Sequence, residues 1–294
     1  MEGINQDRLI ERLRQALNED IGIGDITAES VVEFNPHAQA EIIARQDGIL
    51  AGIEIAKMLF ELDNPPLDIV VKARDGEAIS ERQQLMTLEG SGAAILKSER
   101  TALNLLGRLS GIATLTHQYV QTIEGTNARI LDTRKTTPLW RDVEKYAVRV
   151  GGGVNHRMGL YDMVLIKENH IRWAGGLEPA LSYCVDELGS NRRSVKIEVE
   201  VRSLEELQTV LQYEVDRILL DNMTVEEVKN AVDMVRHKIA LEVSGGISLE
   251  TIRAYAETGV EYISIGALTH SVHVLDVSLL FKEAMLAPGK LVNS

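Results

Sequence analysis

Between Asp132 and His170 the chain crowds together side chains that bind anions. The stretch holds seven Lys or Arg and two His against five Asp or Glu. The whole chain carries a formal net charge of -13, so this span reverses the sign of the protein. Its cations lie beside turn residues and at the ends of apolar runs, where a rigid scaffold can aim them at one point. Such a local reversal predicts a site for a small, highly charged anion. Arg134, Lys135, His156, Arg157 and Lys167 are the anion-binding candidates. Arg offers a bidentate fork to carboxylate or phosphate, and Lys a point charge. Each alone reads as a surface charge, and His156 alone as a structural residue. Their convergence on strand ends and on the loop after Gly151-Gly152-Gly153 argues for a shared task.

Positioning these groups requires regular elements, and the apolar pattern supplies them. Strand-like runs end at Leu131, Ile166, Val201, Leu220, Val243 and Ile265. Helical segments separate them near 141–150, 178–188, 203–213, 224–236 and 248–258, two opening with capping boxes, Ser203-x-x-Glu206 and Thr224-x-x-Glu227. Strand–helix alternation with continuous apolar strands predicts parallel strands covered by helices. Six units fit a barrel short of the usual eight, or an open doubly wound sheet. No strand leads into a Gly-x-Gly-x-x-Gly turn, which removes support for a dinucleotide fold. The first part reads differently. A helix over 6–20 is followed by short strands at 40–43, 69–73 and 85–88 with a helix at 53–62. A helical stretch from Gly92 to about Leu109 and a second helix up to Ile123 lead onward. This half predicts a small α+β domain.

In a parallel barrel the chemistry sits at the carboxyl ends of the strands. Those ends carry Thr133-Arg134-Lys135, Lys167, Glu200, Asp221, Ser244-Gly245-Gly246 and Ile265-Gly266-Ala267. Glu200 and Asp221 end neighbouring strands. Together they are either oxygen donors for Mg²⁺ beside a polyphosphate or acids that neutralise nearby cations; Glu198 shares the strand parity of Glu200, so one acid may support the other. The two glycine-containing segments are either phosphate loops, the first opening a helix, or tight turns. Arg100 reads as a solvated helix charge, and nothing in its spacing marks it.

Bulk composition narrows the class. The length, 294 residues, suits one large or two medium domains. The acidic balance argues against nucleic acid and anionic membranes, and 4% aromatic residues leave few rings for base stacking. One cysteine, Cys184, excludes an internal disulfide framework. With no secretion-like start and no apolar stretch of spanning length, the expectation is a cytoplasmic, small-molecule protein.

These residues together resemble the quinolinate phosphoribosyltransferase family over almost the whole chain. The most specific stretches are 99–104 with 109–114, Asp132 through Pro138, Glu144 through Asp162, Leu165 through His170, Leu219 through Asn222, and Ser244 through Ile247. The resemblance implies an α/β fold: an incomplete parallel (β/α) barrel over 111–271, plus an α+β domain from 1–110 and 272–294. It implies transfer of phosphoribosyl from 5-phosphoribosyl 1-diphosphate to quinolinate with decarboxylation, Mg²⁺ and no organic cofactor. It also implies a homodimer or larger assembly in which Arg100 reaches the partner's site. Arg134, His156, Arg157 and Lys167 would line the dicarboxylate pocket. Lys135 would face the diphosphate, and Glu200 and Asp221 the Mg²⁺ side. The glycine loops, with Thr133, Ser244 and Ile265 to Ala267, would complete substrate binding. Lys135, Lys167, Glu200 and Asp221 form the implied catalytic set. Leu139-Trp140-Arg141 replaces the Gly that many members carry after the Thr-Thr-Pro motif. Alternatives are a related molybdenum-transport-associated protein of the same fold, a Schiff-base aldolase using Lys167, and a phosphate-ligand sensor without turnover.

Overall fold

The computed structural model describes residues 3–31, 37–188 and 195–282. The expected first-domain segment over 283–294 lies outside the described residues. The chain divides into two compact units, Met1–Thr114 with His273–Ser294, and Leu115–Val272.

The first unit starts with α1 (Gln6–Ile21), where Asn5 caps the helix by accepting from Arg8 N. Leu9, Leu13 and Leu17 recur every fourth residue and are buried, so one stripe of the helix supplies its stability. After α2 (Ile26–Val31) come β1 (His37–Ala44), β2 (Gly48–Ile49), α3 (Ile53–Glu61), β3 (Asp68–Val71), β4 (Ala78–Ile79), β5 (Gln84–Ser91) and α4 (Gly92–Thr122). An antiparallel sheet is ordered β12-β1-β5-β3. Its edge strand β12 (Val277–Phe281) returns from the far end of the chain, with Ala40 opposite Phe281.

The stretch expected as two helices from Gly92 to Ile123 is one helix of 31 residues. Glycine weakens a helix, which argues for a break at Gly107 or Gly111. Here these glycines permit close approach instead. A Cβ on Gly111 would lie 2.2 Å from the His273 carbonyl oxygen, and one on Gly107 2.6 Å from that of Leu275. The returning segment thus lies directly on the helix, and Leu275 N donates to Gly107 O.

The second unit holds β6 (Arg129–Leu131), α5 (Arg141–Val150), β7 (Val164–Ile166), α6 (Glu168–Trp173), α7 (Leu177–Leu188), β8 (Ile197–Val201), α8 (Leu204–Val210), β9 (Arg217–Asp221), α9 (Val225–Val235), β10 (Ala240–Ser244), α10 (Ile252–Ala256), β11 (Tyr262–Ser264) and α11 (Ala267–His270). The six parallel strands are ordered β6-β11-β10-β9-β8-β7. The first strand pairs with the last, and the two edges, β6 and β7, are consecutive in sequence. That is the order of a barrel opened between its first two strands; a doubly wound sheet would place the first strand inside. A single parallel bridge, Leu131 to Val154, extends pairing into the gap.

The helix expected over 248–258 is shorter, Ile252–Ala256. Gly245 and Gly246 both take positive φ, and Ser248 then closes a turn in which its carbonyl accepts from Thr251 and Ile252. The glycine loop therefore leads into a turn rather than straight into a helix.

Candidate active site

The carboxyl ends of the parallel strands surround a cavity of about 690 Å³. Three segments contribute its polar lining. Thr133, Arg134 and Lys135 follow β6, His156 and Arg157 come from the loop before β7, and Lys167 follows β7. Asp221, Ser244, Gly245, Gly246, Ile265, Gly266 and Ala267 line the other side. Glu200 is not a lining residue but lies 3.2 Å from the lining residue Lys167. Arg100 belongs to the first unit, on α4, with an exposed side chain 3.9 Å from Glu99.

The loops that carry the cations are tied down by a buried ion pair. Lys145 on α5 and Asp132 after β6 meet with both side chains fully buried. Lys145 also donates to His156 O at 2.9 Å. Asp132 accepts from His156 N at 2.9 Å and from the Asn155 amide, and Asn155 donates to Lys145 O at 2.8 Å. Burial pushes Asp132 up and Lys145 down, each against the pull of the other's charge. The pair thereby fixes residues 155–157 against the end of β6.

Each cation then has its own setting. Arg157 is 9% exposed. It donates from Nη1 to Met163 O at 2.9 Å, while its Nε is buried with no hydrogen-bond partner among the described residues. Burial first, and then the charge of Arg134, hold Arg157 below the usual guanidinium range. Two guanidiniums brought together around an unsatisfied donor call for an anion. Lys135 has its main chain fixed on both sides: its N–H donates to Thr133 Oγ1 at 3.0 Å and its carbonyl accepts from Thr269 at 2.6 Å. Lys167 N donates to His170 Nδ1 at 2.9 Å.

The segment after Pro138 keeps the path of a glycine. Trp140 N donates to Thr137 O at 3.0 Å, closing a turn with Pro138 and Leu139 at its centre. Leu139 has φ 69°, the left-handed position that favours glycine in a type II turn. A leucine there costs about 1–2 kcal/mol. Arg141 compensates by bracing the loop, donating to Thr136 Oγ1 and to Met158 O, both at 2.9 Å.

His156 is turned inward. Its Nδ1 accepts from Arg157 N at 2.7 Å. Its Nε2 lies 3.0 Å from Glu198 and 3.5 Å from Glu242, both fully buried. Burial opposes a charged ring, but the two acids outweigh it and raise His156 to about 9. Burial pushes Glu198 up. Glu242 is drawn down despite burial, by His156, the Ser264 hydroxyl and Arg217. An amide N–H aimed at Nδ1 requires a bare lone pair there, so Nε2 carries the ring proton. The further proton that the two acids attract is shared across the cluster, which titrates as a unit. His156, Glu198 and Glu242 bring three potential ligand atoms within 4.8 Å of one another. A metal-bound histidine normally donates from its other ring nitrogen, whereas here that nitrogen accepts. The cluster is organised around a proton.

After β9 to β11, a Cβ on Gly245 would lie 2.2 Å from Asn222 Oδ1, and one on Gly266 3.2 Å from Lys135 Cδ. Glycine is required for backbone to line the cavity there. Asp221 accepts from Ser244 at 3.1 Å and from Asn222 at 2.8 Å. The lining residues not singled out from sequence include Glu242, Asn222 and His270. The shared parity of Glu198 with Glu200 was the only hint of buried acids.

Among the described residues no helix is long and apolar enough to cross a membrane. The quinolinate phosphoribosyl transferase C-terminal domain model matches residues 112–280, and the N-terminal domain model matches 25–110. The chain is 41% identical over 276 residues to a probable nicotinate-nucleotide pyrophosphorylase (carboxylating) of Bacillus subtilis, covering 94% of each chain. It is 41% identical over 287 residues to a mitochondrial quinolinate phosphoribosyltransferase (decarboxylating) of Nicotiana tabacum, covering 92% of this chain and 81% of the relative. Among solved structures, the nicotinate-nucleotide pyrophosphorylase of Francisella tularensis superposes with a TM-score of 0.87 at 39% identity, over 95% and 98% of the two chains. NadC from Streptococcus pyogenes gives 0.89 at 33% identity, over 96% and 100%.

The buried pair makes a prediction about stability. Lys145→Met strands the Asp132 charge in the interior and is expected to cost about 3–5 kcal/mol in urea unfolding. Adding Asp132→Asn removes that charge and should restore part of the loss. A single variant as stable as the wild type would mean that the pair does not anchor the loop.

Proposed function

The chain belongs to the quinolinate phosphoribosyltransferase family, and from that premise we propose how its cavity performs the reaction. The enzyme is a decarboxylating pentosyltransferase that makes nicotinate mononucleotide for NAD synthesis. Its substrates are quinolinate and 5-phosphoribosyl 1-diphosphate. The observation that carries the assignment of roles is the unpartnered, buried Arg157 Nε beside Arg134. Both guanidiniums line the cavity, and a carboxylate of quinolinate would neutralise them there.

Both substrates are anions, so the cationic wall offsets their mutual repulsion and sets the approach of the reacting atoms. The ring nitrogen of quinolinate attacks C1 of the ribose. The bond from C1 to the diphosphate oxygen breaks, and diphosphate leaves with the electron pair. Lys135 stabilises that leaving charge. The pyridinium so formed accepts the electrons released when the bond to the 2-carboxylate breaks, CO₂ departs, and C2 takes up a proton. The glycine segments at 244–246 and 265–267 hold the 5-phosphate through their backbone amides. Lys167, paired with Glu200, faces the dicarboxylate.

Mg²⁺ fits the acids on this side. Glu200 pairs with Leu219 across the strands, and Asp221 lies two residues further along, on the same face. Two hard oxygen donors beside a diphosphate match the one or two carboxylates that Mg²⁺ takes. Glu200 and Asp221 would hold it there, and it would neutralise diphosphate charge. The assembly proposed is a homodimer in which Arg100 of the partner subunit completes the quinolinate pocket.

Incubation with quinolinate, 5-phosphoribosyl 1-diphosphate and Mg²⁺ should give nicotinate mononucleotide and CO₂. Nicotinate should be turned over far more slowly, because the loss of one carboxylate leaves cavity guanidiniums, the buried Arg157 among them, without their counter-charge. Equal kcat/KM for the two acids would reject the pocket assignment, and binding without product would indicate a sensor. The shared site is tested by subunit mixing. Arg100→Ala and Lys135→Ala chains should each be nearly inactive. After exchange, a heterodimer has one site with both lesions and one with neither, so activity should recover towards half of wild type. Confirmed heterodimers without recovery would place Arg100 outside the partner's site.

A further inference from the structure

At the floor of the cavity, four consecutive strands contribute one polar layer, buried at Glu198, Glu242 and Ser264 and half-buried at Arg217 and Tyr262. Glu198 comes from β8, Arg217 from β9, Glu242 from β10, and Tyr262 and Ser264 from β11. Arg217 Nη1 donates to Glu242 at 2.8 Å, and its guanidinium lies 4.1 Å from the centre of the Tyr262 ring. Ser264 donates its hydroxyl to the other Glu242 oxygen. Glu242 is thereby fixed, and it and Glu198 flank His156 Nε2. Above them, the same ring accepts the Arg157 amide on Nδ1. The chain of contacts therefore runs from the layer, through one imidazole, to the main chain of Arg157, a residue that lines the cavity.

We infer that Glu198 and Glu242 are positioning residues for the dicarboxylate subsite, acting through His156 to set the main chain of Arg157, and that His156 gives neither ring nitrogen to substrate. This rests on the assignment of quinolinate to the Arg157 side of the cavity. Two acids in a barrel interior are costly to bury. A leucine at either position would fill space but would leave the ring free to rotate about its side-chain bonds. Holding Nε2 between two carboxylates at 3.0 and 3.5 Å orients the imidazole plane, and the plane orients Nδ1 towards the Arg157 N–H. A displacement of the guanidinium by a fraction of an ångström is enough to lose a charge-assisted hydrogen bond to a carboxylate. The sugar diphosphate, held by the backbone of the glycine segments, makes no use of the Arg157 main chain that His156 sets.

The test separates positioning from bulk stability. Glu198→Met removes the oxygen nearest Nε2, whereas Glu198→Gln keeps a carbonyl oxygen in its place. Steady-state kinetics on the full chain with quinolinate, 5-phosphoribosyl 1-diphosphate and Mg²⁺ should show the KM for quinolinate raised on the order of tenfold or more in Glu198→Met. The KM for the sugar diphosphate should change less than about twofold, and Glu198→Gln should recover most of the loss. Glu242→Gln, which keeps an oxygen for Ser264, should show the same substrate asymmetry in milder form. A parallel rise in both KM values, or a fall in kcat alone, would overturn the inference. Nitrogen-15 spectra of the ring provide a readout that does not need turnover and remains usable if a variant folds poorly. In the wild-type protein without substrate, His156 should have a bare Nδ1 and a protonated Nε2, and adding quinolinate should leave that pattern unchanged. A proton on Nδ1, or its appearance there when quinolinate binds, would show direct contact and contradict the clamp. Absence of product from the wild-type enzyme would instead count against the assigned reaction, and the apo spectrum would still judge the clamp.

Discussion

Everything at the cationic wall depends on one buried contact, that between Lys145 and Asp132. Neither charge is comfortable in the interior: burial pushes the acid up and the amine down. An apolar pair of similar volume would be about as stable. Such a pair could not, however, accept from His156 N and Asn155 or donate to His156 O. The contact converts a loop rich in glycine, Gly151 to Gly153, into a fixed platform for His156 and Arg157. Rigid placement matters because the wall is assembled before any ligand neutralises it. Arg157 already suffers from the charge of Arg134, and a loose loop would relieve that repulsion by letting the two side chains part.

The site also shows where stability has been given up for shape. Leu139 stands in a left-handed backbone position, and Arg141 spends its guanidinium on Thr136 and Met158 instead of on solvent. Gly245 and Gly266 give up side chains so that backbone can line the opposite wall. The result is a cavity with side-chain cations on one side and backbone donors on the other. That division suits one substrate bearing carboxylates and another bearing phosphates. It also concentrates positive charge in a protein whose formal net charge is -13, so the attraction for anions is local to the cavity.

Much of this was legible in the chain. Apolar runs broken by turn residues marked the strand ends within a residue or two, and the strand ends carried the cations, because the parallel barrel forces chemistry to that face. The resemblance supplied what spacing could not, the interest of Arg100. Local patterns failed where distant contacts decide. Gly107 and Gly111 suggested a helix break, yet a segment from more than 150 residues further along the chain packs on them. The short helix α6 begins in the polar run Glu168-Asn169-His170 and has no buried residue, so apolar periodicity could not reveal it. Residue type marked His156 as an anion binder, but its ring nitrogens are committed by Glu198, Glu242 and Arg157 N. Those partners come from separate strands and from the main chain, which no local motif records. Glu242 sits between apolar neighbours in Ala-Leu-Glu-Val-Ser, with only its strand parity to signal burial among partners.

The central claim is that quinolinate is recognised by guanidinium groups on a preset loop, with His156 as support. A crystal structure of the enzyme with quinolinate bound tests it most directly. The account predicts a carboxylate oxygen within hydrogen-bond distance of the Arg157 guanidinium, with His156 Nδ1 still accepting from Arg157 N and Nε2 still facing Glu198 and Glu242. A carboxylate bonded to a His156 nitrogen, or quinolinate seated on the glycine segments without contact to Arg157, would contradict it.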